Sequence, residues 1–157
     1  MTATIRPEIH QSAVTNTLNH HIACALDLYS QVKQAHWTVT GPNFIAIHEL
    51  FDDQAALLVI HIDLFAERMR ALRAIPSGTI RQAGHESPLS DLEARELPWR
   101  DAIGAILIRF ETYSGSLSKA IEDAEKHRDF VTQDIYIEAA REVEKQAYLL
   151  RSHLAQT

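Results

Sequence analysis

Long stretches without a helix breaker constrain this chain more than any other feature. Residues 8–40, 43–75 and 116–157 contain neither glycine nor proline, and only 5 of each occur in 157 residues. That poverty of punctuation favours an all-α fold. Leu18, Ile22, Ala25, Leu26, Tyr29 and Val32 recur at helical spacing and predict a first helix over 12–38. Gly41-Pro42 ends it, glycine suiting the left-handed C-terminal position and proline being unable to continue a helix. A second helix is predicted over 43–73, roughly 45 Å long.

The connection that follows, 75–98, carries Pro76, Gly78, Gly84, Pro88 and Pro98. Within it Ser90-Asp91-Leu92-Glu93 has capping-box spacing and predicts a short helix over 90–95. A third long helix is predicted over 99–126. Asp129 can cap a fourth over 130–155. Four long helices with one long crossover in the middle make a ferritin-like four-helix bundle, with a short extra helix in the crossover. The chain reads as a single domain, 1–157, with a short N-terminal extension over 1–11.

The second helix carries the chemistry. At about 100° per residue, and with His48 set at zero, Asp52 falls near ~40°, Asp63 near ~60° and Glu67 near ~100°. The apolar residues of that helix, among them Phe51, Leu58, Ile62 and Phe65, centre near ~240°. The polar stripe therefore points away from the bundle core. It splits into two pairs, His48/Asp52 and Asp63/Glu67, about 16 Å apart along the axis. No single ion spans that distance. A second copy of the helix, antiparallel across a two-fold axis, would set the first pair of each copy against the second pair of the other. His36 lies twelve residues before His48 with a turn between, and can fold back to join His48 and Asp52. A solvated helix face has the same pattern, but Ala56, Val59, Ile60 and Ala66 lie within or beside the stripe, which suits a contact between subunits. Mixed nitrogen and carboxylate donors suit Fe²⁺, Mn²⁺ or Zn²⁺. No histidine has a glutamate three residues before it, so the Glu-x-x-His arrangement of an intra-bundle metal pair is absent.

The remaining composition narrows the field. Net charge is −6, which gives no bias toward nucleic acid or anionic membrane. Cys24 is the single cysteine, so no internal disulfide exists. No stretch has the length and apolarity of a membrane span, and residues 1–15 lack the pattern of a secretory signal. The expected location is the cytoplasm.

His36-Trp37-Thr38-Val39-Thr40-Gly41-Pro42-Asn43-Phe44, His48-Glu49-Leu50-Phe51-Asp52-Asp53 and Asp63-Leu64-Phe65-Ala66-Glu67-Arg68 resemble, in residue type and interval, the signature of the Dps family, the small ferritins also called DNA-binding proteins from starved cells. The resemblance covers nearly the whole chain. It implies a dodecameric hollow shell built from two-fold dimers, which binds Fe²⁺ at dimer interfaces. It also implies oxidation to Fe³⁺, usually by hydrogen peroxide with oxygen as the alternative, and ferric mineral stored inside as protection against oxidative damage. On this resemblance His36, His48 and Asp52 come from one subunit and Asp63 and Glu67 from its neighbour, with zinc an alternative occupant. Trp37 is either an electron donor near the site or an aromatic anchor of the subunit contact.

Asp129, Asp134 and Glu138 fall where the family lines its three-fold channels, although acids at a helix start also suit the helix dipole. His61, near ~220° on the core face, is either a hydrogen-bonded core histidine or an added metal ligand. Residues 71–76 replace the family's glycine-containing helix stop and predict a local change of shape. The lysine-rich tail of DNA-condensing members is missing, so DNA binding is not expected. A structural DNA-compacting shell with little oxidase activity, or a zinc- or manganese-binding variant, are the competing readings.

Overall fold

A computed structural model describes the backbone of residues 8–155 and the side chains of residues 12–155. The elements in order are α1 (Glu8–Thr38), β1 (Val39–Thr40), α2 (Phe44–Ala71), α3 (Ile80–Glu86), β2 (Leu97–Pro98), α4 (Trp99–Lys126) and α5 (Phe130–Leu154). The four long helices form the bundle and α3 sits in the crossover, as the ferritin-like reading requires. The first helix starts at Glu8, earlier than the expected residue 12, and the rest of the expected N-terminal extension lies outside the described residues.

Cross-links fix the helix directions. His36 and His48 exchange bonds between α1 and α2, His21 reaches Ser116 between α1 and α4, and His61 reaches Glu142 between α2 and α5. Phe51 and Phe65 from α2, Phe110 and Tyr113 from α4 and Tyr136 from α5 fill the centre with no more than 1% exposure. Aromatic side chains buried this completely supply the largest single hydrophobic contributions.

The short helix is displaced from its expected place. Residues 90–95 are not helical, and the helix forms at Ile80–Glu86 behind a capping box made by Thr79 and Gln82. Both Thr79-x-x-Gln82 and Ser90-x-x-Glu93 have the local signal. Burial decides between them. Ala83 packs at 3% exposure, whereas the carbonyls of Ser90 and Asp91 both accept from Arg109 Nη2, at 2.9 and 2.8 Å. Arg109, reaching from α4 and bonded also to Gln31 of α1, thus clamps the crossover in an open path.

The crossover ends in a contact the sequence does not announce. Val39 and Thr40 pair in parallel with Leu97 and Pro98, tying the turn after α1 to the start of α4. Gly41 is required there twice over. Its φ is +115°, and a Cβ would stand 2.9 Å from the Trp99 ring. At the far end of α2, Arg73 takes the left-handed φ of 64° in place of glycine, and Ala74 N–H donates to Met69 O at 2.9 Å. Arg128 closes α4 in the same way, with φ 55°.

Candidate metal centre

The turn Val39–Asn43 folds α2 back along α1, and that hairpin places His36 against His48. The Nδ1–H of each ring donates to the other residue's backbone carbonyl, both at 2.8 Å. The rings stack with centroids 3.6 Å apart, and Phe44 closes the far side of His48 at 5.0 Å. A carbonyl can only accept, so each imidazole carries a proton on Nδ1, and in its neutral form each presents the Nε2 lone pair to a metal. His36 is buried and His48 half-buried.

Asp52, one turn beyond His48, is turned to Lys33, whose Nζ donates to Oδ1 at 2.6 Å. That hydrogen bond holds the Asp52 carboxyl below its ordinary value, with the charge of Lys33 and the two histidines adding to the effect. The Lys33 ammonium also lies 5.8 Å from the Trp37 ring centroid. Trp37 itself is 67% exposed. Sequence reading overlooked Lys33, although its place one turn before His36 and Trp37 on α1 was a usable signal.

Asp63 and Glu67 stand exposed on α2, and neither bonds to another described residue. Val59 and Ile60, between the two pairs, are 50% and 61% exposed. Among the described residues no group of three or more His, Cys, Asp or Glu is gathered to hold a metal ion. The chain alone thus presents two separate donor sets on one face, with Asp52 engaged by a lysine.

The other singled-out residues are placed differently. His61 lies in the core at 1% exposure, with Nε2 2.8 Å from Glu142 Oε2 of α5. Burial lowers its pKa, with Glu142 opposing. Asp129 is buried at 2% and accepts from Arg68 Nη2 at 2.8 and 3.1 Å, from Thr132 N–H at 3.3 Å and from Thr132 Oγ1 at 2.8 Å. Burial works against its charge, but the bonds from Thr132 and Arg68 hold its carboxyl below the ordinary value. It caps α5 and locks α2 to it. Asp134 and Glu138 remain exposed, one turn apart. Arg68 is thus the ion-pair partner of this buried acid.

No described helix is long and apolar enough to cross a membrane. Bundle, crossover and face-borne donors together define a ferritin-like protein, and residues 15–157 match the ferritin-like domain family. The chain is 32% identical to the DNA protection during starvation protein of Agrobacterium fabrum over 148 residues, which cover 94% of this chain and 91% of that protein. The Dps of Mycobacterium smegmatis superposes with a TM-score of 0.93 at 29% identity, covering 100% of this chain and 94% of that one. The Dps of Microbacterium arborescens, solved in a high iron form, gives a TM-score of 0.89 at 31% identity and covers 99% of each chain. Within the ferritin-like class, the chain belongs to the Dps family.

Proposed function

We propose that this protein takes up Fe²⁺, oxidises it at sites shared between two copies of the chain, and stores the ferric product inside a dodecameric shell, so limiting oxidative damage. The observation that carries this reading is the division of donors on α2. His36, His48 and Asp52 stand at one end and Asp63 and Glu67 at the other, and exposed Val59 and Ile60 between them suit a subunit contact. Pairing two α2 helices antiparallel sets each histidine end against a carboxylate end of the other copy.

In this arrangement Asp63 and Glu67 supply the anionic oxygens, which favour Fe³⁺ over Fe²⁺ by charge. The free Nε2 atoms of His36 and His48 supply neutral nitrogen donors fixed by the carbonyl clasp. Metal binding at Asp52 displaces Lys33, which stays near Trp37. Two Fe²⁺ give one electron each to hydrogen peroxide, which with two protons leaves as two waters. Oxygen is the alternative oxidant and zinc the alternative occupant. The exposure of Trp37 supports a role as an anchor of the subunit contact. Asp134 and Glu138 are the acids placed to draw cations toward a channel. The net charge of −6 gives little attraction for DNA phosphates, so DNA is at most a weak partner.

Complementation tests the shared site. A chain carrying His36→Ala, His48→Ala and Asp52→Ala is co-assembled with a chain carrying Asp63→Ala and Glu67→Ala. Each homo-oligomer should fail to oxidise Fe²⁺ with peroxide. Mixed dimers should regain activity, because one of their two sites has both halves intact. Mixed shells of the right native mass that stay inactive would refute the shared site.

A further inference from the structure

The bundle core holds a group of polar atoms that the metal reading does not use. Gln54 and Tyr113 are 0% exposed and His61 is 1% exposed. Among the described residues no hydrogen-bond partner reaches Gln54 Nε2, Gln54 Oε1, His61 Nδ1, the Tyr113 hydroxyl or Gln146 Oε1. Buried polar atoms are almost always satisfied, by protein or by ordered water. Five in one small core call for a common cause.

Helix register places them together. α2 and α5 are antiparallel, with Arg68 meeting Asp129 and Thr132, and His61 meeting Glu142. Two turns from His61 toward the start of α2 is Gln54, on the same face. Gln146 lies one turn beyond Glu142 on α5, so in this antiparallel register it faces α2 between His61 and Gln54. Tyr113 enters from α4, its ring centroid 6.4 Å from that of His61.

The donor pattern selects the guest. Glu142 accepts from His61 Nε2–H, so Nδ1 is left as an acceptor. Gln54 Oε1 and Gln146 Oε1 are acceptors too. Gln54 Nε2 and the Tyr113 hydroxyl are donors. A bare cation would oppose the donors and an anion would oppose the acceptors. Only a small neutral molecule that both donates and accepts can serve both kinds, and water is that molecule.

We propose that the core between α2, α4 and α5 is a built hydration site, in which water bridges His61 Nδ1, the Tyr113 hydroxyl and the amides of Gln54 and Gln146. The resulting hydrogen-bonded run ends at Glu142, whose side chain is 39% exposed and meets solvent. The inference is independent of the metal sites.

The test combines a crystal structure of the full chain with two near-isosteric variants, Tyr113→Phe and Gln54→Leu. Water density is expected within hydrogen-bond distance of His61 Nδ1 and the Tyr113 hydroxyl, and each variant should lower the thermal midpoint by about 2–4 °C, because the water loses a partner. A dry core gives the opposite sign. Deleting the unpaired Tyr113 hydroxyl then raises the midpoint, and no water density stands beside it or His61 Nδ1. That result overturns the proposal. If Gln54→Leu does not fold, Tyr113→Phe alone decides, since it keeps the ring that fills the core.

Discussion

The two ends of the α2 stripe are prepared to different degrees. At the histidine end the single chain has already fixed two rings, assigned their tautomer and placed a cation, Lys33, on the carboxylate. At the far end Asp63 and Glu67 stand free in solvent, held only by helix geometry. Neutral donors can be packed and oriented in one chain at little electrostatic cost. Two carboxylates one turn apart repel each other and stay hydrated until a cation arrives. The lone chain can therefore preorganise the nitrogen side, and the oxygen side waits for metal and partner.

The largest expected effect would break this contrast outright. Asp63→Ala/Glu67→Ala should cut peroxide-driven Fe²⁺ oxidation by at least about a hundredfold, with native mass and helix content unchanged. Retention of the rate in stopped-flow measurements would mean that the carboxylate end is only a solvated helix face.

Acid should separate the centre from the body of the bundle. His21, buried between Thr17, Ser116 and Tyr136, has its pKa lowered from 6.5 to about 4, chiefly by loss of hydration. The unfolded chain takes up this proton below pH 6.5, and the folded chain does not until about pH 4. Stability is therefore complete above pH 6.5 and falls as pH drops toward 4, by up to about 3 kcal/mol per chain. His61, also lowered by burial, adds in the same direction. Denaturation midpoints at pH 7, 5.5 and 4 check this, and a flat profile over that window would contradict it.

Lys33→Met sharpens the contrast from the other side. It keeps the apolar stem and removes the resident cation, so the Asp52 carboxyl should move up toward its ordinary value. Affinity of the assembled protein for Co²⁺ or Zn²⁺ should rise about three- to tenfold, as read by calorimetric titration, because metal no longer has to displace an ion pair. The smallest effect lies far from either end. Arg128→Gly should raise stability by up to about 1 kcal/mol without touching metal binding, since glycine takes φ 55° without strain.

Much of this was legible in the chain. α4 starts and ends where the sequence reading places it, because Pro98 and Asp129 mark its borders with local chemistry. The stripe was legible because an α-helix converts spacing into direction. The crossover was not. Two capping boxes of equal local merit competed, and the choice fell to Arg109, a charged residue whose buried destination no periodicity reveals. Asp129 was legible as a helix cap but not as the partner of Arg68, because the two are 61 residues apart.

By itself, then, the sequence determined which segments are helical and which donors share a face, since both depend on neighbours within a few turns. Only the tertiary structure decided how the donors are held. The carbonyl clasp of His36 and His48, the engagement of Asp52 by Lys33, the withdrawal of Asp129 into the core and the unpaired polar atoms around His61 all arise where distant segments meet. There burial sets the cost of each polar group, and local spacing carries no record of burial.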